Sequence, residues 1–363
     1  MALQSLLTRP LPRGAGPVMN ALRLGAAQRL FLGTPPHAAV DTTVRLLHGR
    51  FAGFKGLANA VLRKIERGPD RPDAARLDTP GWLWRRWTAA YGEATAGAIA
   101  AVHLAEPPLD ISVAGNAEEW CDRLQAKWLP NGSLRRPIGG DPSMLPGYDD
   151  GGWWIQDAAA ALPARLLGPV AGRRIIDLCA APGGKTAQLA AAGADVTAVD
   201  LSAARMARLQ ENMTRLGFRA RTIVADAATW RPDAPADAVL LDAPCTATGT
   251  IRRHPDIARI KTAEDVAKLT GVQDRLLRAA VEMTAPGGRL VYATCSLQPE
   301  EGPERIAALL RDGAPVRLER ISAMELPGLS DAIGPDGTVR TLPCHWKELG
   351  GIDGFFIARL ERV

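Results

Sequence analysis

Apolar positions recur at helical spacing through residues 17–67: Leu22, Ala26 and Leu30, then Val40, Val44 and Leu47, then Leu57, Val61, Leu62 and Ile65. A period of three and four predicts amphipathic helices, and the "GTPP" stretch at 33–36 separates the first from the second. A small helical bundle follows. The tract from Arg67 to Pro80, "RGPDRPDAARLDTP", has the proline- and charge-rich composition of a linker. Beyond it, "GWLWRRWTAAYGEATAGAIAAVHL" predicts two helices, and Pro108 to Val113 ("PLDISV") a strand, which together make a small α+β unit. From Trp153 the pattern becomes a helix and then the strand segments "RRIIDL", "DVTAVD", "RTIVAD", "DAVLLD" and "GRLVYAT", most of them separated by helical stretches. Strands alternating with helices predict an α/β fold with a doubly wound parallel sheet. No internal repeat or low-complexity tract interrupts this order.

At 363 residues the chain exceeds what one core usually fills. We place a helical domain at 1–68, a linker at 69–80, the small α+β subdomain at 81–150 and the α/β domain at 151–363. The formal net charge of +5 and a pI near 9.1 favour a polyanionic partner. The five cysteines, Cys121, Cys179, Cys245, Cys295 and Cys344, include no C-x-x-C pair and no histidine cluster at zinc spacing. A reducing, cytoplasmic setting without a metal is expected. The most apolar stretch, Ala94 to Leu104, is far shorter than the roughly 20 residues that span a bilayer. The N-terminus lacks a signal core, so no membrane partner is expected.

The candidate chemistry gathers at strand ends. "DLCAAPGGKT", Asp177 to Thr186, turns from a strand into a helix whose first N–H groups face a nucleotide-like cofactor. It has neither G-x-G-x-x-G nor G-x-x-x-x-G-K-[ST] spacing, which disfavours a dinucleotide or ATP. Asp200 ends the second strand and can accept from ribose hydroxyls, or cap the next helix. Asp226 ends the third and suits an adenine edge, or again caps. Cys245 in "LDAPCTATG" and Cys295 in "VYATCS" each close a later strand. Parallel strands converge at their carboxyl ends, which puts both thiols beside one pocket and predicts thiolate attack followed by group transfer. The alternative for any strand-end cysteine is an inert small hydrophobe. That is our reading for Cys121 and Cys344, while Cys179 packs or touches cofactor through its backbone.

"DLCAAPGGKT", "DAPCTATGTIRRHPDI", "ATCSLQPEE" and "DGFFIARL" closely resemble the Sun or RsmB-type RNA 5-methylcytosine methyltransferases of the NOL/NOP/Sun family, which use S-adenosyl-L-methionine. The resemblance covers residues 153–363. "RLGAAQRLFL", "PPHAAVDTTVRLL" and "KGLANAVLRKI" look like the later part of the NusB-like RNA-binding domain that precedes this catalytic region. The resemblance implies a Rossmann-like class I methyltransferase sheet with a small α+β subdomain and an N-terminal NusB-like bundle. It also implies that Cys295 is the nucleophile, that Cys245 assists release, and that Asp242 hydrogen-bonds the target cytosine. Cys179, Ala180, Ala181, Pro182, Gly183, Gly184 and Lys185 would line the methionine and sulfonium end of the cofactor, completed by Asp200, Asp226 and Asp242. The division suits the chemistry. Carbon 5 of cytosine is too poor a nucleophile to attack a methylsulfonium until a thiolate adds at carbon 6. Lys185 and oriented N–H groups would favour that thiolate.

The expected substrate is RNA, small-subunit rRNA first and tRNA as the alternative, acted on by a monomer. A non-catalytic RNA-binding ribosome-assembly factor and a small-molecule methyltransferase are the competing classes. Arg252, Arg253 and His254 are expected to contact phosphates flanking a flipped cytosine, or to form a solvated loop. In "WLWRRW", Leu83, Trp84 and Trp87 share a helical face, which favours packing over base stacking. Lys55, Arg63, Lys64 and Arg67 give the bundle a basic edge that steers RNA less well as salt rises. Two departures loosen the RNA target more than the chemistry. The chain starts about half-way into a NusB-like domain, so that the bundle is expected either to bind RNA poorly or to have Met1 to Pro17 replace part of the missing packing, and "PEEGPE" (Pro299 to Glu304) has glycine where asparagine commonly follows the paired glutamates.

Overall fold

A computed structural model describes residues 6, 7, 9–65, 74–115, 117–137 and 139–363. They fall into two units, Met1–Pro72 and Asp73–Val363. The first is built from helices Gly16–Leu30, Pro36–Leu46 and Lys55–Arg63, with a 3-10 turn, Gly49–Phe54, leading into the third. Prolines in the first turn start the first two, where a missing N–H costs nothing. The spaced apolar positions meet as a core of Val18, Leu22, Val40, Leu47, Val61 and Leu62. At Gly25 a Cβ would come within 2.4 Å of Thr43 Oγ1 and 2.7 Å of Leu62 Cδ1, so only glycine permits this approach. Leu6, Leu7 and Leu11 pack against the same core. Lys55, Arg63 and Lys64 are exposed, and Arg67 lies outside the described residues.

In the second unit, helix Ala74–Asp78 occupies part of the segment expected as a linker, and residues 66–73 lie outside the described residues. Helices Gly81–Tyr91 and Glu93–Val102 follow. Leu83 and Trp87 are buried between them, and the Arg76 guanidinium sits 4.6 Å over the Trp84 ring, so the tryptophan-rich segment packs rather than presenting a stacking platform. A four-stranded antiparallel sheet comes next, from β1 (Leu109–Val113), β2 (Lys127–Trp128), β3 (Leu134–Arg136) and β4 (Trp153–Ile155), in the order β2-β3-β1-β4. A helix was expected to start at Trp153. Its strand arises because Trp153 and Trp154 fill opposite faces, one beside Ile111 and Leu134, the other beside Met206 and Leu209. The small sheet therefore reaches past residue 151.

The large sheet comprises β5 (Arg174–Leu178), β6 (Asp195–Asp200), β7 (Arg221–Val224), β8 (Ala236–Asp242), β9 (Thr284–Thr294), β10 (Val316–Leu318), β11 (Val339–Arg340) and β12 (Phe356–Arg362). Its order is β10-β12-β9-β8-β5-β6-β7, with β11 paired to β12. The five expected strands, β5 to β9, are parallel, while β12 runs antiparallel to β9 and β10 antiparallel to β12. Apolar side chains cover both faces, as a parallel sheet requires. The strand order reverses between β5 and β8, which opens a cleft at their carboxyl ends. Among the described residues no helix is long and apolar enough to cross a membrane.

A buried ion pair joins the small sheet to the C-terminal segment. Arg135 donates to both carboxylate oxygens of Asp110, at 2.6 and 2.7 Å, and through Nη1 to the carbonyls of Leu349 and Gly351, each at 2.8 Å. Replacing Asp110 with alanine strands that guanidinium without a counter-charge. Urea titration is expected to show a loss of about 3–5 kcal/mol in Asp110→Ala. A loss below about 1 kcal/mol, the range of an exposed pair, would contradict the structural role given to it.

Candidate active site

β5 hands directly into the glycine-rich turn. Cys179 takes a left-handed φ of 60°, and Gly183, at φ 104°, begins helix Gly184–Ala191. A Cβ on Gly183 would lie 2.9 Å from Leu209 Cγ, in addition to the backbone strain, so the turn needs glycine here. Asp200, at the end of β6, is 2% exposed and grips the turn: its oxygens accept from the Ala181 N–H at 3.2 Å and the Ser202 N–H at 2.9 Å. Arg205 bonds the Ala181 carbonyl, and Asn212 donates to that of Pro182 at 2.9 Å. Asp226, two residues beyond β7, is exposed and accepts from the Ala228 N–H at 2.9 Å. Beneath the turn, Asp177 Oδ2 accepts from Thr186 Oγ1 at 2.6 Å, and Oδ1 is buried without a partner. Burial pushes the Asp177 pKa up to about 7 against the pull of Thr186 and Lys185. Burial, followed by Asp242 and Asp200, also raises the Cys179 thiol, which suits a packing group.

β8 ends at Asp242, whose Oδ2 accepts from Lys185 Nζ at 2.7 Å. The Lys185 side chain is 9% exposed and that of Asp242 30%, so the pair opens to the cleft on the carboxylate side. Burial alone would lower the lysine pKa, but Asp242, Asp177 and Cys295 more than offset it and hold the ammonium charged. The loop after β8 carries Cys245 and the loop after β9 carries Cys295. The two sulfurs lie 3.4 Å apart. Hydrogen bonding to Cys295, then burial, pushes the Cys245 thiol well above its ordinary value. Arg253 is held charged against its burial, first by Asp353.

The backbone around Cys295 is fixed by a crossing of three segments. The Gly249 N–H donates to the Cys295 carbonyl at 2.9 Å, and the Gly354 N–H to the Gly249 carbonyl at 2.9 Å. A Cβ on Gly249 would sit 1.9 Å from the Gly354 oxygen. Below both cysteine loops lies Glu301, fully buried, its carboxylate bonded to Thr246, Ser296 and Gln273. Sequence reasoning assigned it nothing, although the polar run "TCSLQPEE" so close to a strand end was the available signal.

The expected phosphate contacts need correction. Arg252 has a side chain 1% exposed, with Nη2 2.5 Å from Asp157 Oδ2 and Nε 2.9 Å from Asp353 Oδ1. It is a structural ion-pair member and not available to RNA. Arg253 bonds both oxygens of Asp353 and keeps its side chain 31% exposed, and His254 is exposed. The two aspartates come from segments about a hundred residues or more away, so spacing along the chain did not reveal them; isolated acids in "IQDAAA" and "GIDGFF" were the clue, since a buried charge demands a partner. Cys121 and Cys344 pack against apolar clusters. Among the described residues no group of three or more His, Cys, Asp or Glu side chains can hold a metal ion.

Residues 164–361 match the family 16S rRNA methyltransferase RsmB/F, and residues 1–67 the NusB family. The chain is 34% identical to ribosomal RNA small subunit methyltransferase B of Cronobacter sakazakii, an alignment covering 99% of this chain and 85% of that protein. To the protein of the same name from Xylella fastidiosa it is 39% identical, over 99% of this chain and 84% of the other. Among solved structures, a methyltransferase homolog protein from Pyrococcus horikoshii is 27% identical with a TM-score of 0.66, covering 79% of this chain and 97% of that one. A family match over more than half the chain, relatives aligned over 99% of it and a shared fold all agree: the chain belongs to the RsmB/F family of 16S rRNA methyltransferases.

Proposed function

We propose that this chain transfers a methyl group from S-adenosyl-L-methionine to carbon 5 of a cytosine in small-subunit rRNA, in the cytoplasm. The observation that carries the reading is the pair of thiols 3.4 Å apart at the carboxyl ends of adjacent strands, beside the Lys185–Asp242 pair. The rRNA target is supported by the names of the relatives. The cleft residues fit the cofactor. Asp177 Oδ1 is an orphaned acceptor suited to a cationic group, Leu201 is 73% exposed beside Asp200 and offers an apolar flank, and Asp226 is an exposed acceptor. Cys179 to Lys185, Asp226 and Asp242 would hold the ligand. Asp200, with both oxygens engaged, contributes by setting the turn. When bound, S-adenosyl-L-methionine supplies an electrophilic methyl group.

The chain's own residues then divide the work. Cys295 adds as a thiolate to carbon 6 of the ring, forming a carbon–sulfur bond and pushing an electron pair toward ring nitrogen 3 and carbon 5. Asp242 accepts from the exocyclic amine, and the adjacent ammonium of Lys185 stabilises the charge displaced onto the ring. Once carbon 5 carries the methyl group, solvent water takes the carbon 5 proton, the electron pair of that carbon–hydrogen bond restores the carbon 5–carbon 6 double bond, and the carbon–sulfur bond breaks, returning its own pair to Cys295. Cys245 retains its proton because its thiol pKa is raised, and at 3.4 Å it can donate a hydrogen bond to the departing sulfur. Release is its task.

Incubation with methyl-labelled cofactor and unmodified small-subunit rRNA, followed by nucleoside chromatography, is expected to place label in 5-methylcytidine; label in any other nucleoside would overturn the reading. Cys295→Ala should lower that label by about a thousandfold or more while leaving S-adenosylhomocysteine binding intact. Cys245→Ala should accumulate a protein–RNA adduct seen as a gel shift that survives denaturant; normal turnover would remove its role in release.

Asp177 gives a pH-dependent prediction. Its folded-state pKa is raised from 3.8 to about 7, so ionising it costs folding stability, a cost absent below 3.8 and complete above 7. Asp177→Asn should therefore melt higher than the parent above pH 7, with the difference closing as the pH falls toward 4, and should bind S-adenosylhomocysteine more weakly by calorimetry. A melting difference that does not change with pH would refute the buried-charge argument.

A further inference from the structure

We infer that Glu301 is a positioning residue that sets the separation and aim of the two thiols by clamping the residue after each of them. The catalytic meaning of this rests on the function proposed above. Thr246 follows Cys245 and Ser296 follows Cys295. Glu301 Oε1 accepts from the Thr246 N–H at 2.9 Å and from Gln273 Nε2 at 3.2 Å; Oε2 accepts from Ser296 Oγ at 2.5 Å and from the Thr246 hydroxyl. One carboxylate thus holds two loops that are 50 residues apart in sequence.

Glu301 is itself anchored. Its carbonyl accepts from the Tyr292 hydroxyl at 2.9 Å and from Thr294 Oγ1 at 3.1 Å, both on β9. Gln273, on helix Ala263–Met283, also donates to the Pro244 carbonyl at 2.9 Å, just before Cys245. Thr248 completes the lattice, its hydroxyl 3.3 Å from Ser296 Oγ and accepting from the Leu297 N–H at 3.0 Å. The residue is 0% exposed, and among the described residues no basic side chain hydrogen-bonds its carboxylate. A buried carboxylate without a cation is costly unless donors fill its lone pairs, and here four do. An apolar residue would fill the space without that cost, but it would leave the two loops unlinked.

The test reads thiol geometry without requiring methyl transfer. Diamide oxidises Cys245 and Cys295 to a disulfide: two thiols give up two electrons and two protons to its N=N bond, which becomes a hydrazine. Disulfide formation, followed by peptide mass spectrometry, reports how often the sulfurs meet in a bonding geometry. Glu301→Ala should slow both cross-linking and kcat by about a hundredfold, with KM for rRNA and S-adenosylhomocysteine binding unchanged. Glu301→Gln keeps the length and part of the bonding, so it should recover about tenfold of that loss. Should the alanine variant fail to fold, the glutamine variant decides: slowing of about tenfold supports the inference. Cross-linking at the parent rate in a folded variant would overturn it. If the parent makes no 5-methylcytidine yet the variants cross-link slowly, only the proposed reaction fails. If the parent methylates and the variants cross-link normally, only the clamp fails.

Discussion

Reversal of strand order between β5 and β8 decides where every reactive group can sit. On one side of that point the chain proceeds through β6 and β7, and on the other through β8 and β9, so the loops leaving β5 and β8 diverge and cannot cover the cleft between them. Asp177 ends up under the turn, Asp242 beside it, and Cys295 one strand further on, although 118 residues separate Asp177 from Cys295. The antiparallel β12 then closes the far side of β9 and brings Asp353 and Gly354 against the Cys245 loop.

Three sets of buried charges are paired within this frame. Lys185 pairs with Asp242, Arg252 and Arg253 with Asp157 and Asp353, and Arg135 with Asp110. Such pairs add little net stability, because desolvation offsets most of their attraction, but breaking one leaves a bare charge inside. They therefore specify geometry. The Arg252 network ties the segment before β12 to the cysteine loop and to the chain just after β4, and Lys185 links the glycine-rich turn to the end of β8. Glu301 does the same work with neutral donors. The thiols are consequently held by the loops' own polar network, while the Asp242 side chain beside them stays 30% exposed.

Local features of the sequence were enough to place β5 to β9, the turn at Cys179 to Lys185 and the two cysteines, because each depends on local pattern: apolar runs, glycines that permit positive φ, and residues at strand ends. β4 escaped notice because three residues show no period, and its tryptophans serve two different cores. β10 and β11 are also too short to carry a signal. Arg252 was misjudged for a different reason. Its charge pointed outward by composition, whereas its partners Asp157 and Asp353 are brought to it only by tertiary packing. Glu301 was half legible: the polar run around it marks its local partner Ser296, whereas Thr246 and Gln273 are brought to it only by tertiary packing.

The central claim is a covalent bond between Cys295 and carbon 6 of the target base, and it can be observed directly. Small-subunit rRNA made with 5-fluorocytidine can accept the thiolate and the methyl group, but fluorine at carbon 5 cannot leave as a proton does, so the adduct persists. Digestion and mass spectrometry should find the peptide containing Cys295 carrying a methylated fluorocytidine, formed only when S-adenosyl-L-methionine is present. An adduct on Cys245, or no adduct from RNA that the protein methylates in its ordinary form, would contradict the assignment.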